Sequence, residues 1–134
     1  MEDFSKILKE ITQSSINQGF RKLSKSKVDE NLIYGDIPQD YRDFLMEVGF
    51  GSVADGYFMF YGGLIEAEEI YDVANNPEIN KVLLFGDNFS GDAIGFLPTE
   101  NWSIVEIWHE DLTIFPREEK TFLEFARKVF AKEI

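Results

Sequence analysis

The sequence predicts an α+β fold: a single domain over residues 1–134, with a mainly antiparallel sheet covered by N-terminal and C-terminal helices. Three observations predict it. Helical periodicity is confined to the two ends of the chain. The middle is a run of short apolar segments punctuated by glycine, asparagine and aspartate. Those segments do not alternate with long helices, as a parallel doubly wound sheet requires. The length suits one domain, and such a chain buries roughly two-thirds of its unfolded surface. Thirteen phenylalanines supply a core that needs no disulfide.

The elements follow in order. Phe4, Ile7, Leu8 and Ile11 fall at i, i+3, i+4 and i+7, which predicts a helix over about residues 3–13. Ser14, Ser15 and Gly19 weaken it. A basic, serine-rich connection follows. In it Ser26 and Asp29 have capping-box spacing, and Val28 and Leu32 offer the apolar side of a short helix ended by Gly35. Pro38 suits the first position of the next helix, and Asp40 puts a negative charge in its first turn. Tyr41, Phe44, Leu45 and Val48 form its stripe, and Gly49 its C-terminal cap.

Tyr57 to Tyr61, Lys81 to Phe85 and Ala93 to Phe96 read as strands, with a short helix from Glu66 to Asp72 between the first two. In the strand from Trp102 to Trp108, Ile104, Glu106 and Trp108 share the Trp102 face, and Ser103, Val105 and Ile107 the other. Leu112 to Phe115 is a further strand or bend. Thr121 and Glu124 make a second capping box, opening a terminal helix with Phe122, Phe125, Ala126, Val129 and Phe130 on its apolar side.

Composition excludes several chemistries. The chain has no cysteine, which removes disulfides, thiolate nucleophiles and zinc–cysteine or iron–sulfur sites. Met1-Glu2-Asp3-Phe4 shows no secretory signal, and no apolar run approaches the roughly 18–20 residues that span a bilayer. The expectation is a cytoplasmic protein without membrane contact. Net charge is −12. Residues 31–116 hold 16 acidic and 2 basic groups, whereas the flanking segments are each near balance. Such a field repels nucleic acid and anionic lipid and attracts basic partners, besides promoting solubility.

Motif tests point away from catalysis. In Gly86-Asp87-Asn88-Phe89-Ser90-Gly91-Asp92, counting from Asp87, Phe89 stands at the third place of a calcium loop and Asp92 at the sixth, where an acidic or amide group and a glycine are required. The segment reads as a turn, with Gly86 and Gly91 supplying unusual dihedrals and Asp87, Asn88 and Ser90 making local bonds to the backbone. Gly49-Phe50-Gly51-Ser52-Val53-Ala54 matches a dinucleotide fingerprint in letters. It follows a helix and precedes a strand, the reverse of the required context. His109, the one histidine, has Glu110 and Asp111 as candidate carboxylate partners for general-base work, or is a plain strand-end residue. No catalytic, cofactor or metal site is assigned.

The ordered motifs resemble a family. Ile37-Pro38-Gln39-Asp40-Tyr41-Arg42-Asp43-Phe44-Leu45 with Gly49-Phe50-Gly51 is similar to the "I-P-x-x-Y-x-x-F-L…N-G-G" helix and turn of the SUKH superfamily, the bacterial relatives of the fungal cell-wall-synthesis regulator. Leu84-Phe85-Gly86-Asp87 with Gly91-Asp92-Ala93-Ile94-Gly95-Phe96 resembles its "F-G-x-x-x-x-G-D-x-x-x-F" hairpin. Val105 to Glu110 and Thr121 to Phe125 resemble its next strand and terminal helix. Val48 stands where the family often has asparagine. The resemblance implies an α+β fold, no catalytic residues, and a protein-binding role. Many bacterial members are immunity proteins that neutralise a toxin, often a nuclease. The alternative is a regulatory scaffold with endogenous partners. For a basic toxin domain, the candidate contacts are Asp55, Glu66, Glu68, Glu69, Asp87, Asp92, Glu106, Glu110 and Asp111. The sequence leaves the oligomeric state open.

Overall fold

The computed structural model describes residues 4–15, 19–54 and 56–133, with the side chains of 4, 14 and 15 excepted. Six strands form one antiparallel meander: β1 (Gly51–Val53), β2 (Phe58–Glu66), β3 (Leu83–Asp87), β4 (Ala93–Leu97), β5 (Ser103–Trp108) and β6 (Thr113–Pro116), in the order β1-β2-β3-β4-β5-β6. Each strand pairs with its sequence neighbour, so the α+β class read from the sequence is the class observed. A bridge between Arg21 and Phe50 extends the sheet beyond β1.

Helices α1 (Phe4–Ser15), α3 (Gln39–Glu47) and α4 (Phe122–Phe130) cover one face of the sheet. In α1, Ile7 and Ile11 are buried, as their spacing requires; Asp3, the expected first residue, lies outside the described residues. The short α2 (Lys25–Asp29) is capped by Ser24, whose hydroxyl accepts from Lys27 N–H at 3.3 Å, two residues before the expected Ser26. Val28 is buried but Leu32 is exposed, because the chain tightens into a 3₁₀ turn at Glu30–Tyr34 and carries Leu32 off the buried side.

Pro38 is the N-cap residue of α3 rather than its first helical residue. Gly49 adopts φ 100°, and its N–H reaches back to Phe44 O at 2.8 Å, ending the helix as expected. A Cβ there would collide with the Arg21 carbonyl. Thr121 caps α4 by accepting from Glu124 N–H at 3.1 Å. The Glu124 carboxylate completes the box one residue early, on Lys120 N–H at 3.2 Å.

The core between helices and sheet is aromatic. Phe122, at the start of α4, packs against Tyr41, Phe44, Phe60, Phe85 and Phe96, with ring centroids 4.8 to 6.1 Å away. Edge-to-face pairs of this kind each add about 0.5–1.5 kcal/mol beyond burial. The Tyr41 hydroxyl is buried there without a hydrogen-bond partner among the described residues. Gly86 does not have the left-handed dihedral expected of it; it is needed because a Cβ would strike the Met59 carbonyl and the Phe58 ring.

The second face is also covered. Ala67, Ile79, Val82, Leu84, Ala93, Val105 and Ile107 form a smaller core under residues 67–82. That segment holds two 3₁₀ turns, Ala67–Glu69 and Pro77–Lys81, and the short helix expected after Glu66 is the first of them. Being covered on both faces, β3 and β4 are apolar at nearly every position.

Candidate functional site

In a meander, alternate turns lie at alternate ends of the sheet. The β3–β4 and β5–β6 turns therefore share one end. Asp87, Asp92, Glu110 and Asp111 fall there. Glu66, Glu68 and Glu69, at the end of β2 and in the turn after it, fall at the opposite end. Burial, and then the charges of Glu66 and Glu69, raise the Tyr34 hydroxyl above its ordinary range there. Glu106 lies on the helix-covered side and is held by Arg117 at 3.4 Å. Asp55 lies outside the described residues. The nine candidate acids are thus divided, and four of them share the hairpin end.

The β3–β4 turn is built by its own side chains. Asp87 Oδ1 accepts from Phe89 N–H and Asn88 Oδ1 from Ser90 N–H, both at 2.9 Å. Asn88 Oδ1 also accepts from Asp92 N–H at 3.2 Å. These bonds hold Phe89 at φ 64° and Gly91 at φ 99°. The turn reading of this stretch is what the structure contains.

Three contacts tie the turn to its surroundings. The Tyr61 hydroxyl donates to Asp87 Oδ2 at 2.6 Å. The Tyr71 hydroxyl donates to Gly91 O. Asp92 Oδ1 receives His109 N–H at 2.9 Å and lies 2.7 Å from His109 Nδ1. His109 therefore pairs with Asp92 rather than with Glu110 or Asp111. The ring rests so close to Gly91 that a Cβ would come within 3.1 Å of it.

Electrostatics follow from these bonds. Burial pushes the Asp92 carboxyl up, but the bonds from the His109 backbone and ring and from Asn88 outweigh it and hold the group below the usual carboxylate range. Bonds from Thr113 lower the Asp111 carboxyl. Burial, with the charges of Asp92 and Asp87, pushes the Tyr71 hydroxyl up to about 12 despite an opposing bond from the Ala93 backbone. Asp92 and Asp111 are thus ionised at neutral pH, and Asp87, Asp92 and Asp111 are each fixed in place by hydrogen bonds.

At the same end stand two aromatic side chains that are not among the charged candidates. Phe89, at the turn tip, is 53% exposed and Trp108, at the end of β5, 43%. Trp108 packs on Phe115 with centroids 4.2 Å apart, which fixes its indole while leaving much of it open. Their signal in the sequence is position: Phe89 sits inside a polar turn and Trp108 at the last residue of a strand, where packing does not require an aromatic. Among the described residues no group of three or more histidine or acidic side chains could hold a metal ion. No helix among them is long and apolar enough to cross a membrane. Comparison with known proteins finds no matching family model, no matching curated protein and no matching solved structure.

Proposed function

We propose that the chain is a non-enzymatic protein-binding module: an immunity protein, acting in the cytoplasm, that binds and neutralises a basic toxin domain through the hairpin end of its sheet. The observation that carries this reading is the exposure of Phe89 and Trp108 beside the fixed carboxylates of Asp87, Asp92 and Asp111, with the exposed Glu110 at the same end. Aromatic anchors contribute most of the affinity in protein interfaces, and a charged rim speeds association and selects partners. The side-chain bonds within the turn and the Asp92–His109 contact hold this surface in one shape before binding, which lowers the ordering cost. A nuclease surface that grips phosphate is basic, so an acidic domain can compete for it. The resemblance of the helix, hairpin and strand motifs to the SUKH superfamily supports the same reading.

The test is capture from native lysate at low and high salt, followed by co-expression of the captured protein with this chain. The expected result is one dominant basic partner whose toxicity the chain suppresses. A Phe89→Ala, Trp108→Ala double variant should fail to suppress it while keeping its fold. Several endogenous partners and no suppression would replace this reading with that of a regulatory scaffold.

A further inference from the structure

A cavity of about 320 Å³ opens where the first turns of α3 and α4 meet the turn between β4 and β5. Phe96, Trp102 and Phe122 line it, together with the charged side chains Asp40, Asp43 and Lys120. The Trp102 ring lies 5.8 Å from that of Phe96. Asn101 and Trp102 both adopt left-handed backbone, at φ 57° and 58°. Two such non-glycine residues in succession are costly, and the packing of Trp102 has to offset that cost.

Two helix N-termini at a cavity would ordinarily favour an anion. Here that place is taken. Asp40 accepts from Leu123 N–H at 3.0 Å, Thr121 Oγ1 from Glu124 N–H at 3.1 Å, and Thr121 O from Phe125 N–H at 3.2 Å. The first-turn donors of α4 are spent on the protein's own groups. The remaining features are two carboxylates against one ammonium, beside aromatic faces. Asp43 is the available acid: it is half-buried, and its hydrogen bond from Gln39 Nε2, at 2.9 Å, goes to Oδ1 alone.

A guanidinium matches these features better than an ammonium does. It is planar and weakly hydrated, stacks on aromatic rings, and presents several N–H donors to a carboxylate. We propose that this cavity binds a guanidinium group, with Asp43 as its ion-pair partner and Trp102 as its stacking face. The group is carried either by a free small molecule or by an arginine side chain presented on another protein. The inference does not depend on the function proposed above, since the cavity involves neither the β3–β4 nor the β5–β6 turn.

The test is an NMR titration of the full chain, following the Trp102 indole N–H, with N-acetyl-arginine methylamide and its neutral isostere N-acetyl-citrulline methylamide. The arginine compound should give saturable shifts, and the citrulline compound should bind about tenfold more weakly or less. Asp43→Asn, which keeps the acceptor for Gln39, should weaken arginine binding, and Lys120→Ala should tighten it. Equal binding of the two compounds, no saturable shift at Trp102, or weakening by Lys120→Ala would overturn the proposal, the last by showing that the bound group is not a cation repelled by the lysine. The first comparison uses the unaltered protein, so it stands even if a variant does not fold. Methylguanidinium separates the sources. Binding as tight as that of the blocked arginine indicates a free small molecule, and weaker binding an arginine within a chain.

Discussion

The Asp40 carboxylate in the first turn of α3 accepts the Leu123 N–H of α4 at 3.0 Å, so one side chain finishes a helix 83 positions away. Its other oxygen takes the N–H of Tyr41 at 2.9 Å. Asp40→Ala should therefore cost about 1–3 kcal/mol, the range for stranding buried donors, read by urea denaturation. Burial raises the carboxyl above its ordinary value, and the backbone bonds pull it back only in part. A raised carboxyl stabilises the fold fully below its unfolded pKa, and that contribution is lost as pH rises through the folded value. The penalty of Asp40→Asn, which does not titrate, should shrink from pH 3 towards neutrality.

Glu119 is buried and held by Arg117 at 2.7 Å and Lys128 at 3.1 Å. Burial raises its carboxyl, but the bonds from Arg117 and Lys128 outweigh this and leave it lowered. Its contribution is present above the ordinary glutamate range and lost as pH falls through the folded value. Glu119→Gln should cost about 3–5 kcal/mol at neutral pH, because it leaves Arg117 without its closest counter-charge, and less below about pH 4. Thermal melts across that range check the sign.

The aromatic core makes a paired prediction. Phe122→Ala opens a cavity among five rings and should destabilise by about 3–5 kcal/mol. Tyr41→Phe removes a buried hydroxyl that has no partner among the described residues, and should leave stability unchanged or raise it by about 1 kcal/mol. A loss of more than that in Tyr41→Phe would show that the hydroxyl is satisfied after all.

Asp92→Ala releases both the backbone and the ring of His109. Both groups are partly exposed, so the global cost should stay within about 1 kcal/mol. The local effect should be larger: hydrogen exchange at the His109 amide should accelerate well before that of the β4–β5 ladder. Because the Asp92 carboxyl is lowered, the protection should also fade in the unaltered protein as pH drops through its folded value.

Much of this architecture was legible in the sequence, for identifiable reasons. The stripes of α1, α3 and α4 and the alternation of β5 repeat at the helix and strand periods, so residues such as Phe44, Phe125 and Val105 declare their side of the core. The end of α3 was legible because Gly49 alone tolerates the dihedral and the approach to Arg21. The start of α2 is ambiguous in the sequence because Ser24 and Ser26 are equally good caps, and only tertiary packing selects Ser24. β1 is not legible in the sequence as a strand in its own right, since three residues carry no periodicity. At the hairpin end the turn chemistry of Asp87 and Asn88 was local and hence readable. The pairing of Asp92 with His109 spans 17 positions, and that of Asp40 with Leu123 spans 83; neither leaves a pattern in the chain.

The meander closes on neither side, so it ends in two outer strands, β1 of three residues and β6 of four. An outer strand is a template on which a second chain can add. Here both are short. Among the described residues the ladder continues beyond β1 only as the Arg21–Phe50 bridge, and β6 stops at Pro116, which has no N–H to offer. The same two strands flank a sheet whose central members are apolar almost throughout, the composition most prone to stacking into fibrils once unpaired. The short, blunted margins thus act as a guard against self-assembly, and lengthening β6 by replacing Pro116 with a β-branched residue should make the protein more prone to aggregate.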